Sequence, residues 1–413
     1  MIAALRPAAL HRPTPGDRHT PQSADKSIFH YFCPCPRGLE AVLADELHVL
    51  GAANIDMVPG GVACCGPLRL AYRINLEARL PSRVLLRLLD THCRSEDSLY
   101  QRCHAVAWEN WFHVTRTIRV DVVAQRSPLR SLNFATLRIK DAIVDRFRAQ
   151  SGARPSVDTH HPDVRINAFL TEQRLQLYLD LSGEPLFKRG WRHSADNRVA
   201  APLKENLAAG LLALSGWSRE QPLLDPFCGS GTLVIEAAQI LCNQAPGLNR
   251  KFGIEQLRLH DAHLFSNLVS SLQESARQGI AQFPRGQIMA SDIDPRAIAL
   301  TGSNLRSLGL PDGLIDLKVQ DAASARPELA QPGVLVANPP YNERVSIPVE
   351  QWRTIGATLR EHFGGWSVFL LSSDRGLPGQ LGLRESRKTP LFNGAIECRL
   401  FEFRMRVRPS SGS

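Results

Sequence analysis

The sequence predicts an α/β chain: a doubly wound, mostly parallel sheet in its second half, preceded by smaller blocks that mix helices with antiparallel strands. Three patterns carry this. From about residue 199, short apolar strands alternate with helices: "PLLD", "QIMAS", "IDLKV", "VLVAN" and "WSVFLLS". Before that, "DVRINAFL" and "LQLYLDLSG" alternate with period two around a polar turn, the signature of a hairpin. Near the end, Asn393-Gly394 joins two strands as a tight turn, so one strand runs against an otherwise parallel sheet.

With 413 residues the chain is long enough for two or three domains with their own cores. Residues 1–26 are rich in Pro, Ser, Thr, Arg and His without apolar periodicity and read as a disordered tail, as do 408–413. No secretory leader pattern and no membrane-length apolar run is present.

The first block, 27–84, holds an amphipathic helix in "RGLEAVLADELHVLG", with Leu39, Leu43 and Leu47 on one face and Gly51 as its stop. The second, 85–183, opens on a strand in "RVLLRLLDTHC". A helix over "SEDSLYQRCHAVAWENWF" follows, capped by Ser95 or Asp97. A strand then places Ile118, Val120 and Val122 on one face. The next helix turns Ile139, Ile143 and Phe147 inward and Arg138, Lys140, Arg146 and Arg148 toward its surface. Leucines 175, 177, 179 and 181 line one face of the closing hairpin. A basic linker, 184–198, contains "LFKRGWRHSADNR", either a solvated connector or a positive hinge beside a nucleic-acid channel. The third block, 199–407, begins with a helix repeating Leu203, Leu207, Leu211 and Leu214. It continues through strands and helices, including one carrying Trp352, Ile355, Leu359 and Phe363, to the final hairpin.

The net charge of +9 and pI near 9.3 favour a polyanionic partner, nucleic acid above all. Nine cysteines without framework spacing point to reduced thiols and a cytoplasmic setting. The pairs Cys33/Cys35 and Cys64/Cys65 lack the gaps of a zinc site and read as small buried hydrophobes.

"LLDPFCGSGTLVIEAA" leaves a strand and opens a helix. Gly229 and Gly231 permit a sharp turn and the close approach of a ligand to bare backbone. No Lys follows, as a nucleotide-phosphate loop requires, and the third glycine of a dinucleotide fingerprint is missing. A strand then ends in "SDIDP". Asp292 is placed to accept the hydroxyls of a ribose, and Asp294 reads as the cap of a helix that starts at Pro295. Asp321 in "VQDAA" is placed to accept from an adenine amine. The fourth strand stops at "NPPY". An exocyclic base amine is a poor nucleophile, because its lone pair is delocalised into the ring. Two acceptors aimed at its hydrogens favour the tetrahedral form that attacks. The side-chain oxygen of Asn338 and the carbonyl of Pro339 can be those acceptors, held by the rigid Pro339-Pro340 backbone, with Tyr341 stacking on the base.

In this order, "DPFCGSGT", "SDID" and "NPPY" resemble class I S-adenosylmethionine-dependent methyltransferases acting on base amines. "RINAFL", "LYLDLSGEPLFKRGWR", "APLKENLAAGLL", "WSVFLLSSD" and "LFNGAIECRLFEF" extend the resemblance, over 27–405, to the THUMP-containing RNA N2-guanosine methyltransferases, nearest those acting on 23S ribosomal RNA. The resemblance implies a ferredoxin-like segment, a THUMP RNA-binding domain and a Rossmann-like methyltransferase domain with strand order 3-2-1-4-5-7-6. It implies S-adenosylmethionine as cofactor, held by Asp225, Pro226, Phe227, Gly229, Gly231, Thr232, Asp292, Ile293 and Asp321, with catalysis at Asn338, Pro339, Pro340 and Tyr341. Lys204 and Glu205 fall either in a solvated helical turn or near the cofactor's methionine end. Glu236 is either a partly buried structural acid or a support for the loop. Structured RNA is the implied partner, ribosomal before transfer RNA, gripped by Arg138, Lys140, Lys188, Arg189 and Arg192. No metal, membrane or obligate protein partner is expected. Asn342 stands where the family usually has Gly and tolerates the same backbone. The sequence closes after one methyltransferase block, so the second activity of fused relatives is not expected. The alternatives are adenine-N6 or glutamine methylation, and an RNA-binding protein that keeps an inactive fold.

Overall fold

The computed structural model describes residues 27–127, 129, 131–192, 203–329, 331–340 and 347–407. Both tails expected to be disordered, the linker from 193 to 198, and Tyr341 with Asn342 lie outside the described residues.

The described chain builds two seven-stranded sheets. The first uses β1 (Phe29–Pro34), β2 (Ala53–Val58), β3 (Gly61–Gly66), β4 (Leu85–His92), β5 (Ile118–Ala124), β6 (Val164–Leu170) and β7 (Arg174–Asp180) in the order β2-β3-β1-β4-β7-β6-β5. Its helices are α1 (Glu40–Val49), α2 (Leu68–Glu77), α3 (Glu96–His104) and α4 (Leu132–Ser151). The two blocks read separately from the sequence therefore share one sheet. Tyr31 and Phe32 of β1 pair with Leu86 and Leu85 of β4, which stitches 27–84 to 85–183.

Local chemistry explains the boundaries. Ser95 Oγ accepts from the Ser98 amide (3.2 Å) and starts α3. The helix expected to run on to Phe112 stops at His104, because the chain turns to bury Trp108, whose indole N–H donates to Cys103 O (2.8 Å). Leu175, Leu177, Leu179 and Leu181 are all fully buried, as period two requires. Cys33, Cys35, Cys64 and Cys65 are buried in the core beside Tyr31 and Val62.

The second sheet uses β8 (Leu223–Asp225), β9 (Ile288–Asp292), β10 (Ile315–Val319), β11 (Val334–Ala337), β12 (Ser367–Ser372), β13 (Arg387–Asn393) and β14 (Ile396–Arg404). Its order, β10-β9-β8-β11-β12-β14-β13, is 3-2-1-4-5-7-6 counted from β8. Only β14 opposes its neighbours, turned back by the Asn393↔Ile396 hairpin end. Around it lie α5 (Glu205–Ser215), α6 (Thr232–Leu241), α7 (Ala262–Ala281), α8 (Pro295–Ser307), α9 (Val349–His362) and α10 (Leu377–Leu381).

The halves are packed together rather than strung on a linker. One apolar cluster runs from Tyr31 of β1 to Leu400 of β14. Gly210 of α5 has no Cβ where Leu39 presses against it, and Asn206 donates to Leu80 O (3.3 Å) and Ser82 Oγ (3.2 Å). Among the described residues no helix is long and apolar enough to cross a membrane.

Candidate active site

The carboxyl ends of β9, β8 and β11 lie side by side, where ligands collect in an open α/β sheet. Leu335 is level with Leu224 in the parallel β8–β11 pair, so Asn338 emerges beside the loop that follows Asp225.

That loop is fastened from two elements. Cys228 N donates to Ser291 O (3.0 Å) and Gly229 N to Asp292 Oδ2 (2.9 Å), both on β9. From α8, Thr301 Oγ1 donates to Gly229 O (2.9 Å) and Asn304 Nδ2 to Ser230 O (3.0 Å). Gly229 and Gly231 have φ of +54° and +84°, the left-handed region. A Cβ on Gly229 would point into open space, so the backbone there is bare to a ligand. Pro226 is buried and Phe227 half-buried, its ring 6.1 Å from that of Trp352. Thr232 begins α6.

Asp225 is buried, with one oxygen accepting from the Phe227 amide (3.0 Å). Burial pushes its carboxyl up to about 8, the Phe227 amide opposes this, and the nearby charge of Asp292 adds to it. Asp292 accepts from Gly229 N and from Asp294 N (2.9 Å), one amide per oxygen. A carboxylate has about four lone-pair sites, so capacity remains for hydroxyl donors. Asp294 caps α8 through Arg296 N (2.9 Å), and Ile293 between the two acids is 66% exposed. Asp321 accepts from Ala323 N (2.8 Å) and from Gln351 Nε2 of α9 (3.3 Å).

Asn338 Oδ1 is buried and accepts no hydrogen bond among the described residues. Such an orphan costs stability unless something else fills it. Pro339 is buried and Pro340 exposed.

Several charged residues sit elsewhere than the sequence suggests. Arg189 is buried rather than open to a ligand, with Nε 3.1 Å from Glu236 Oε1. Arg79 Nη1 takes the other oxygen of Glu236 (3.1 Å), so that acid is fully buried between two guanidiniums on α6. Arg192 turns its guanidinium onto the chain itself. Its Nε reaches Glu205 Oε1 (2.6 Å), Nη1 reaches Ser230 Oγ (3.2 Å), and Nη2 reaches Thr232 Oγ1 (2.6 Å) and Leu203 O (3.2 Å). Burial raises the Glu205 carboxyl above its usual range, and the Arg192 charge opposes that shift. Lys204 places Nζ 4.9 Å above the Phe187 ring. At the surface, Lys188 pairs with Glu184 (2.7 Å), Lys140 with Asp141 (2.5 Å), and Arg138 with Asp97 (3.3 Å) while lying 4.6 Å over Tyr100. The sequence reading missed Thr301, Asn304 and Gln351. Nothing local marks them, because their partners lie on other elements.

A parallel sheet of this order whose last strand is reversed, with a glycine loop on its first strand, is the class I S-adenosylmethionine-dependent methyltransferase architecture. The chain belongs to the family described as "RMKL-like, methyltransferase domain", whose model matches residues 189–402. A THUMP domain matches 93–180 and an RlmL ferredoxin-like domain 30–85. "Ribosomal RNA large subunit methyltransferase K/L" of Syntrophotalea carbinolica is 39% identical over 384 residues, covering 90% of this chain and 53% of that protein. The chain thus spans about half the length of the curated relatives it matches. Among solved structures, SMU.472, a putative methyltransferase complexed with SAH, superposes with a TM-score of 0.82 at 29% identity, covering 92% of this chain and 99% of that one. A predicted N6-adenine-specific DNA methylase from Listeria monocytogenes gives 0.83 at 27% identity, covering 94% and 99%.

Proposed function

We propose that the protein transfers a methyl group from S-adenosylmethionine to the N2 amine of a guanine in RNA, most specifically in large-subunit ribosomal RNA. The observation that carries the reading is the orphaned Asn338 Oδ1 at the end of β11, next to the glycine loop of β8. The names of the curated relatives and the THUMP match support RNA as the substrate class. The SAH bound to SMU.472 supports the cofactor, and the residues here suit it. The loop backbone at Gly229 is bare, Asp292 has acceptor capacity for a ribose, and Ile293 offers an exposed apolar surface to a base.

When bound, S-adenosylmethionine supplies an electrophilic methyl on a sulfonium, which the amine nitrogen takes as the C–S bond breaks. Asn338 Oδ1 and the Pro339 carbonyl accept the two amine hydrogens, draw the nitrogen toward tetrahedral geometry and favour the positive charge that develops on it. The nitrogen's surplus proton leaves to solvent, so no strong base is required. A ring stacked on the base, the role the sequence gives Tyr341, holds the nitrogen in line. A duplex target must be extruded to reach this pocket. The THUMP-bearing half, with Arg138, Lys140 and Lys188 on its surface and nearby linker, grips phosphates, so affinity falls with salt.

The test is Asn338→Ala with nucleoside mass spectrometry of ribosomal RNA methylated in vitro. The expected result is S-adenosylmethionine affinity within about twofold of wild type and a methylation rate lower by roughly 10²–10³, the loss on removing one transition-state partner. Undiminished turnover would overturn the mechanism. Appearance of N6-methyladenosine, or methylation of transfer RNA in preference, would replace the substrate.

A further inference from the structure

The basic segment between the two sheets does not lie free in its described part. Residues 189–192, "RGWR", are fastened to α6 at both ends. Arg189 is bound to Glu236 and Arg192 to Thr232, one helical turn apart on the same face. Gly190, at φ +87°, lies so close to Asn249 O that a Cβ would come within 2.7 Å. Trp191 is buried, its carbonyl accepting from Ser307 Oγ of α8 (3.1 Å), and its ring carries the Arg192 guanidinium at 4.6 Å. Four hydrogen bonds and a stacked ring therefore fix the Arg192 plane.

Arginine only donates. Ser230 Oγ and Thr232 Oγ1 must each present a lone pair to it, which turns their protons away from the guanidinium. The two oxygens stand 3.5 Å apart, so at most one proton is spent between them and at least one O–H is left to point elsewhere. Both hydroxyls belong to the glycine loop and the first residue of α6, where helix amides already favour a negative group. Glu205 on the far side balances the Arg192 charge and holds its Nε.

We propose that Arg192 is a positioning residue for the carboxylate of the cofactor's amino-acid end, acting through the Ser230 and Thr232 hydroxyls. This rests on the reading of S-adenosylmethionine as cofactor. Arg192 sets the hydroxyl rotors as donors before the ligand arrives, so the ligand does not have to order them.

The experiment is isothermal titration of the full chain with two probes: S-adenosylhomocysteine, which has the carboxylate, and 5′-methylthioadenosine, which lacks it. For Arg192→Lys, and separately for Ser230→Ala, S-adenosylhomocysteine should bind about tenfold more weakly, ~1.4 kcal/mol, while 5′-methylthioadenosine binds as to wild type. Equal weakening of both probes would assign Arg192 a merely structural role and overturn the proposal, as would no change in either. Wild-type protein that binds neither probe would instead bring down the cofactor reading itself. The Ser230→Ala arm leaves the Arg192–Glu205 pair in place, so the test survives even if Arg192→Lys folds poorly.

Discussion

Glu236 offers the sharpest test of how the molecule holds together. It is fully buried inside the otherwise apolar first turns of α6, and each of its oxygens serves one guanidinium: Oε2 that of Arg79 and Oε1 that of Arg189, both at 3.1 Å. Arg79 comes from the first sheet's half and Arg189 from the connecting segment, so this single acid ties three parts of the chain. Other donors of the pair are placed too: Arg79 Nη2 on Gln244 O (2.7 Å), Arg189 Nη2 on Arg79 O (2.7 Å) and Nη1 on Leu186 O (2.9 Å). Glu46 accepts the Arg79 and Leu80 amides below this cluster, its carboxyl raised by burial. Removing the Glu236 charge leaves a buried guanidinium at Arg189 and a largely buried one at Arg79 without their shared counter-charge. Breaking a buried pair costs about 3–5 kcal/mol, because the surviving charge has no water to return to. Glu236→Gln keeps the volume and one acceptor and should fall near ~3 kcal/mol, with Glu236→Leu near ~5. Replacing all three charges with Arg79→Met, Glu236→Leu and Arg189→Met removes the stranded cations and should recover most of the loss, since apolar replacement of buried ionic groups is often close to neutral. Urea unfolding followed by tryptophan fluorescence, with buried Trp191 two residues from Arg189, and by circular dichroism measures all three. The reasoning fails if Glu236→Gln stays within about 1 kcal/mol of wild type, or if the triple variant is no more stable than Glu236→Leu.

Two more outcomes follow from the loop. The Asp225 carboxyl, at about 8 when folded and about 3.9 unfolded, binds more proton in the folded state between those values. Its contribution to stability is therefore complete below pH 4 and is lost as pH rises toward 8, with a slope approaching ~1.4 kcal/mol per pH unit for one proton. The cofactor-free protein should melt at lower temperature at pH 8 than at pH 5.5, and Asp225→Asn should flatten that dependence; parallel profiles would refute it. Gly231→Ala forces an L-residue to φ +84° and sets a Cβ 2.6 Å from Thr301 Cγ2, so it should cost more than the ~1–2 kcal/mol of left-handed backbone alone. Adding Thr301→Ser removes the colliding methyl yet keeps the Oγ1 bond to Gly229 O, and should restore part of the melting temperature. No restoration would place the cost in the left-handed backbone and the Thr301 oxygen, which stands 2.9 Å from the same Cβ, rather than in the methyl.

The sequence was most legible where chemistry is local. Period-two leucines fixed β7, the cap at Asp294 and Pro295 fixed the start of α8, and Asn393-Gly394 fixed the closing hairpin. The order of the second sheet came from a resemblance across motifs, since strand adjacency is a property of no single segment. Elements without a clean pattern leave little mark in the sequence. β2 is an edge strand with mostly exposed residues and a positive-φ Asn54, and α2 buries Asn75 and Tyr72 along with its leucines. α7 has helical spacing and the Asp261 cap, but it falls between α6 and β9 where a plain strand–helix alternation leaves no place for it. Charge was read least well. Arg189 and Arg192 look like solvated linker cations until the fold brings Glu236 and Thr232 to them from some 40 residues away.

The placement of these cations bears on why the site can exist at all. Two features at one end of the second sheet work against the folded state: a buried acid at Asp225 and an unfilled amide oxygen at Asn338. Each is an invitation to a ligand, and each would let the loop slump if nothing restrained it. The restraints come from outside the loop. Asp292 holds one amide of the loop, α8 holds two of its carbonyls, and Arg192 holds its hydroxyls. Arg189 and Arg79 pin α6 one turn further on. Removing the ligand therefore leaves unsatisfied groups inside a framework that stays in shape. A molecule that fills the Asn338 oxygen and the bare loop backbone relieves those costs only in the folded state, so binding and stability rise together.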